Sequence, residues 1–309
     1  QLVEAAMNQN FVPVVDDRGI FIGIVRRQAI IRYCYDKSRA AEKQAVPAVL
    51  TFDTHPDTLV KGVEVPLINS AEERAEIIRH VFGIDSVISI HFNENMMRMP
   101  WQNFADSVRE ELHACHLVMG YDFSCGWKGE GRPARLAAYC TKHGMGCDII
   151  SAVCRDGEVV SSTRIRSLLE AGRVEEANDL LGHPHFLVDK VHYGFRLGHK
   201  LGAPTINMRF APGVLVPRHG VYAARVFLDS GERLMAVTNI GVRPTVSGGD
   251  QVSVESYILD YDGDLYDHRV RVEFHHFIRD ERRFPDTTAL RDQIQHDAQT
   301  TRDYFKGNE

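Results

Sequence analysis

The stretch HYGFRLGHKLGAPTINM, residues 192–208, sets three glycines and a lysine ahead of a short strand-like run. Gly194, Gly198 and Gly202 allow backbone conformations closed to other residues, and Lys200 lies between the last two. Such a loop can bring N–H groups and one positive charge close to a phosphate. Pro204-Thr205-Ile206-Asn207 then opens the strand. In an extended chain Thr205 and Asn207 fall on one side, so a hydroxyl and an amide oxygen face the same way, a pair suited to a magnesium-bound nucleotide. Taken alone, a glycine-rich loop before a strand more often marks a plain hairpin turn, and the flanking pattern has to decide.

Downstream of residue 186 the period is alternating. FLVDKVHYG, TINMRF, GVYAARVFL, RLMAVTNIG, VSVESYILD and HRVRVEFHHF follow one another, divided by Gly, Pro and Asp turns. In the last of them Val270, Val272 and Phe274 share one face while Arg269, Arg271 and Glu273 take the other, the mark of a half-buried antiparallel strand. Six such strands predict an all-β six-stranded barrel, with TTALRDQIQHDAQTTRDYF as a C-terminal helix packed across it. His275 and His276 are consecutive on a strand and are expected on opposite faces, unable to share a metal.

Upstream, residues 46–182 alternate short apolar runs with amphipathic helices. AVLTF, SVISI, HLVMG and CDIISAV are separated by SAEERAEIIRHVF, NFADSVREEL and RPARLAAYCTKHG. Strand–helix–strand repetition predicts an α/β, Rossmann-like parallel sheet, which takes ligands beyond the carboxyl ends of its strands. VSSTRIRSLLEAG (160–172) closes this part. Ser161, Ser162 and Thr163 are capping residues, Ile165, Leu168 and Leu169 form an inward stripe, and Gly172 ends the helix. A helix start with Arg164 and Arg166 beside it suits phosphate, though a capped surface helix with solvated arginines fits the residues as well.

The chain has 309 residues, 44% hydrophobic and 25% charged, with formal net charge -6. That length accommodates two domains, and the charge offers no general attraction to nucleic acid. No run is long enough to span a membrane, and six cysteines without a C-x-x-C pair read as reduced thiols, so a cytoplasmic protein is expected. Oligomeric state is not legible.

LGHKLGAPTIN resembles the G-x-x-L-G-F-P-T-x-N signature of riboflavin kinases, with Ala203 where an aromatic is common. AVTNIGVRPTVSGG, VESYILDYDGDLYDHRVRVEF and FIRDERRF follow in the same order and spacing. The resemblance implies a nucleotide-dependent kinase barrel over residues 186–309 that transfers phosphate from ATP to riboflavin and makes FMN. By position, Glu255 matches the general base, Thr205 and Asn207 match the residues that hold Mg2+ and ATP, and Gly198, Lys200 and Gly202 fall in the ATP-binding loop.

Residues 37–185 resemble the FMN adenylyltransferase half of bacterial bifunctional FAD synthetases, a nucleotidyltransferase-like fold. TFDTHP is similar to T-F-x-P-H-P, MGYDFSCGWKGEG to G-x-D-F-x-F-G, and VSSTRIRSLLEAG to S-S-T-x-x-R. The likeness implies that Ser161, Ser162, Thr163, Arg164 and Arg166 bind the triphosphate of ATP. The family's G-N-F-D-G-V-H-x-G-H loop, whose histidines stabilise the α-phosphate, does not occur in these residues. In its place, residues 1–36 resemble the closing half of a CBS domain, with P-V-V-D, a turn and G-I-V. Riboflavin phosphorylation is therefore expected to persist and FAD synthesis from FMN to be severely weakened. Two rivals are a non-catalytic regulator binding adenine nucleotide or flavin, and an unrelated nucleotidylyltransferase with a β appendage; the second leaves the barrel motifs unexplained.

Overall fold

The computed structural model describes residues 46–193, 203–244 and 250–308, together with the backbone of two short strands. Those strands, β1 (Val12–Val15) and β2 (Phe21–Val25), pair antiparallel, as the P-V-V-D and G-I-V runs predict. The turn between them and the flanking helices expected for a CBS-like fragment lie outside the described residues. The chain divides into two compact units, residues 1–164 and 165–309.

In the first unit β3 (Ala48–Phe52) is followed by α1 (Pro56–Lys61) and α2 (Ala71–Glu76), which runs into a π-helical turn. Ser70 and Glu73 form a reciprocal capping box at the start of α2, so the helix begins where the sequence supplies its missing acceptors. β4 (Ser86–Ile90), α3 (Glu94–Arg98), α4 (Trp101–Glu110), β5 (His116–Gly120), α5 (Pro133–Lys142) and β6 (Gly146–Ile150) complete the alternation. β3 pairs parallel with β4 and β5 with β6, and among the described residues the two pairs are not joined into one sheet. The last strand stops at Ile150, short of the predicted Val153, where the chain leaves for a small hairpin, β7 (Cys154–Arg155) and β8 (Glu158–Val159).

α6 (Ser162–Glu170) contains the boundary between the units. Its stripe Ile165, Leu168 and Leu169 is buried, and Gly172 ends it at φ 78°. The Arg173 N–H donates to the Leu168 carbonyl and the Gly172 N–H to the Leu169 carbonyl, the paired bonds of a Schellman stop. α7 (Val174–Leu181) follows and is pinned by Asn178, which donates to the Phe274 carbonyl (2.8 Å) and accepts from the His185 N–H (2.7 Å).

The second unit is built on β9 (His185–Lys190), β10 (Thr205–Met208), β11 (Gly220–Leu228), β12 (Arg233–Pro244), β13 (Asp250–Ile258) and β14 (Arg269–Arg279). All pairings are antiparallel, in the order β10-β13-β12-β11-β14-β9. Just past β9, His192 bridges to Asn207, so the first and last strands of that order meet and the sheet closes. This bridge covers part of the two edges that the order leaves free. The interior takes alternate residues, among them Met208, Ala224, Val226, Ile240, Val254, Val272 and Phe274. Thr238 and Ser256 are fully buried there and hydrogen-bond each other at 2.8 Å, which removes the cost of burying two hydroxyls.

α8 (Thr287–Gly307) lies on the outside, where Ala298 packs with Val221, Val237 and Leu259. Arg279 fixes it through two charged hydrogen bonds to the buried Asp297, Nε to Oδ1 at 3.1 Å and Nη2 to Oδ2 at 2.7 Å. One expectation fails here. On β14 the register against β11 jumps from Phe274 to His276, so His275 is the extra residue of a β-bulge and the strict alternation of faces is broken. Both imidazoles consequently meet α8, His275 edge-on to Phe305 and His276 stacked on Tyr304. Among the described residues no cluster of three potential metal ligands occurs.

Candidate functional site

The strand register assembles one transverse row of polar side chains. Asn207 on β10 pairs with Glu255 on β13, and Glu255 pairs in turn with Asn239 on β12. Directly opposed residues project to the same face, with Cβ atoms about 5 Å apart. The neighbours on each strand, Ile206 and Met208, Val254 and Ser256, Thr238 and Ile240, alternate with the row, and all of those except Ile206 are buried. The row therefore lies on the outer face of the barrel. Thr205 shares the Asn207 side of β10, as its spacing predicts.

Asn207 is the informative member. Its Oδ1 is buried and has no hydrogen-bond partner among the described residues. A buried carbonyl-type oxygen without a donor costs about 1–3 kcal/mol, and a hard cation or a bound water satisfies it. An amide oxygen with a threonine hydroxyl two residues away is a donor set that fits magnesium. The β10 backbone there is braced from the far side: the His192 N–H donates to the Asn207 carbonyl (2.8 Å). Asp189 accepts from the Arg209 N–H (2.9 Å) and lies 2.9 Å from the His192 ring.

Gly198, Lys200 and Gly202 lie outside the described residues. The chain on either side is described: Tyr193 leads into the loop and stacks on Tyr266, with centroids 4.2 Å apart and planes at 13°. A cleft beside β10 is lined by Val191, Pro204, Thr205, Ile258, Tyr261 and Tyr266. Ala203, where the signature usually has an aromatic, is 2% exposed.

On the other flank of the row, two residues that sequence reasoning did not nominate come together. Asn239 Nδ2 donates to Glu281 Oε1 at 3.1 Å. Glu281 belongs to the FIRDERRF segment after β14, and its carboxylate rests against Gly241, where an added Cβ would fall 2.1 Å from Oε1. The matching motifs AVTNIG and RDERRF were visible in the sequence, but nothing local says that they touch.

In the first unit, Ser161 Oγ accepts from the Arg164 N–H (3.2 Å), a capping bond, and Ser162 is buried while Thr163 is exposed. Arg164 pairs with Glu158 at 3.2 Å. Arg166 is 9% exposed and lies within the second unit as the chain divides. Residues two apart on a helix do not face each other, so the two arginines take different sides of α6.

The first unit also carries a polar cluster at the carboxyl ends of β3 and β4, where parallel sheets place ligands. Asp53 Oδ2 lies 2.8 Å from His91 Nδ1, and the Phe92 N–H donates to Asp53 Oδ1 at 3.4 Å. Burial pushes the Asp53 carboxyl up, but the hydrogen bonds from His91, Thr54 and Phe92 outweigh it and hold the group below its usual range. Arg74, buried and lowered mainly by desolvation, donates to Thr51 at 3.1 Å. His55 of TFDTHP caps α1, its Nδ1 accepting from the Asp57 N–H.

Comparison with known proteins agrees with both halves. The riboflavin kinase (flavokinase) family matches residues 181–305, and the FAD synthetase family matches residues 27–164. The bifunctional riboflavin kinase/FMN adenylyltransferase of Listeria monocytogenes is 33% identical over 290 residues, covering 93% of this chain and 91% of the relative. That of Bacillus subtilis is 32% identical over 273 residues, covering 87% and 85%. Among solved structures, a Streptococcus pneumoniae chain described as a macrolide-efflux protein superposes with TM-score 0.76 at 26% identity, covering 89% of this chain and 88% of its own. Among the described residues no helix is long and apolar enough to cross a membrane. With both halves matched in order and the length spanned almost entirely, the chain belongs to the bifunctional riboflavin kinase/FMN adenylyltransferase family.

Proposed function

We propose that the outer-face row is the centre of a riboflavin kinase reaction that uses ATP and makes FMN. Glu255 takes the proton from the ribityl 5'-hydroxyl as that oxygen bonds to the terminal phosphorus of ATP and the bond from that phosphorus to the departing ADP oxygen breaks, because an alcohol is a poor nucleophile until a carboxylate in hydrogen-bond reach accepts its proton. Thr205 and Asn207 would hold magnesium-ATP, and magnesium, when bound, supplies positive charge to the oxygens of the transferring phosphoryl group. The loop with Gly198, Lys200 and Gly202 contributes N–H groups and one cation to the same phosphates. The observation that supports this most is the pairing of Glu255 with Asn207, whose buried Oδ1 lacks a partner among the described residues.

In the N-terminal half, Ser161, Ser162, Thr163, Arg164 and Arg166 are proposed to bind the triphosphate of an adenylyl donor. The domain reading is a CBS-like fragment over 1–36, an adenylyltransferase-like domain over 37–185 and a kinase domain over 186–309. The 309 residues contain no H-x-G-H. Loss of one preorganised transition-state donor costs about 10²–10³ in turnover, so adenylyl transfer by these 309 residues is expected to be severely weakened or absent. Incubation of the 309-residue polypeptide with magnesium-ATP and either riboflavin or FMN, followed by chromatography of the flavins, tests both statements. FMN from riboflavin with little FAD from FMN is the expected result; absence of FMN refutes the kinase reading, and abundant FAD refutes the adenylyl one. The matched relatives give no support to a non-catalytic regulator.

A further inference from the structure

We infer that Asn239, oriented by Glu281, is the group that binds the polyol chain of the phosphoryl acceptor and so sets acceptor specificity. The inference rests on the placement of magnesium-ATP at Thr205 and Asn207 proposed above. The row has a direction. Asn207 on β10 lies two residues from Thr205, which lines the cleft together with Tyr261 and Tyr266. Glu255 on β13 is in the middle, and Asn239 on β12 is on the side away from that cleft. A base that takes a proton from an acceptor while the phosphoryl group arrives from the β10 side must have the acceptor on its other flank, because donor and acceptor oxygens lie roughly in line across the phosphorus.

Asn239 is built for that contact. The amide donates from Nδ2 to Glu281 Oε1 at 3.1 Å, which fixes which end of the side chain is nitrogen. Its Oδ1 and second N–H remain to accept from and donate to vicinal hydroxyls, which both give and take hydrogen bonds. Gly241, two residues on along the same face of β12, leaves the space in which the Glu281 carboxylate rests, since a Cβ there would come within 2.1 Å of Oε1. Asn239 thus touches substrate, whereas Glu281 and Gly241 are positioning residues that act through it.

The test is steady-state kinetics of the full chain with riboflavin and ATP varied separately. Asn239→Ala should raise the KM for riboflavin about tenfold, the worth of one or two hydrogen bonds, with the KM for ATP within about twofold. Asn239→Asp, which keeps the shape but turns an oxygen towards Glu281, should do the same, and Gly241→Ala should follow in the same direction by displacing the carboxylate. Lumiflavin, the ring system without the polyol, serves as a competitive inhibitor whose inhibition constant should not change. An unchanged riboflavin KM in both Asn239 variants, a rise confined to ATP, or weakening of lumiflavin in step with riboflavin would each overturn the inference. Asn207→Ala is assayed in parallel. If it leaves the KM for ATP unchanged, the nucleotide placement has failed, a result separable from the riboflavin effect of the Asn239 variants.

Discussion

Asn207 and Glu255, separated by 48 positions in the sequence, are direct partners across β10 and β13, with an amide whose oxygen is buried without a donor among the described residues standing beside a carboxylate. Local sequence offers either residue only as a polar position on a strand. Together they place an amide oxygen and a carboxylate side by side, the pair proposed above to hold a cation-bound phosphate and to accept a proton.

Glu255→Gln keeps the shape of the row and removes the carboxylate proposed as the base. Turnover in FMN formation should fall by about 10²–10⁴, with little change in the KM for ATP. A variant that retains full turnover removes Glu255 from the chemistry.

Asn207→Leu separates stability from activity. The buried Oδ1 makes no bond to the described residues, so its replacement should leave the folded state within about 1 kcal/mol of the parent or slightly more stable. Kinase activity should nevertheless collapse at all magnesium concentrations. Thermal melts by circular dichroism give the first quantity and a magnesium titration of FMN formation the second; a large loss of stability would mean that the amide is bonded after all.

His185 makes the barrel sensitive to acid. It is fully buried, stacks on Phe274 at 6.0 Å and has both ring nitrogens without partners among the described residues. Burial, aided by the neighbouring His183, pushes its imidazole down to about 3. The folded value lies below the unfolded one of about 6.5, so between the two only the unfolded chain takes the proton. The stabilisation is complete above the unfolded value and is lost as pH falls through it, by about 1.4 kcal/mol per pH unit. Urea unfolding at pH 7.5 and pH 5.0 should differ by about 2 kcal/mol from this residue, and His185→Phe should shrink that difference. An unaltered pH dependence in the variant would show that the acid sensitivity arises elsewhere.

The cysteines should divide by reactivity. Cys115 and Cys154 are exposed. Burial pushes the Cys125 thiol up to about 12, and burial with the adjacent Cys140 pushes Cys147 up to about 11. Alkylation near pH 8 followed by peptide mapping should modify Cys115 and Cys154 first, because only the thiolate reacts. Prior labelling of Cys125 or Cys147 in the folded chain would contradict the burial described.

The alternation of Val270, Val272 and Phe274 already said which face of β14 is inside, and the repeats AVLTF, SVISI and HLVMG gave strand limits that the structure reproduces. The stop at Gly172 was equally local, since a left-handed residue is needed wherever a helix ends in paired backbone bonds. These features depend on neighbours a few residues apart, and a sequence displays them directly. Three others depended on the tertiary structure. The register that aligns Asn207, Glu255 and Asn239, the bridge from His192 that closes the barrel, and the bulge that turns both His275 and His276 to α8 are set by distant strands. A period of two fixes which side chains share a face but not which residues stand opposite one another, because register comes from packing and turns summed over the whole sheet. Glu281 reaches Asn239 for the same reason: only the closed barrel returns the chain after β14 to the face where Gly241 leaves room for a carboxylate.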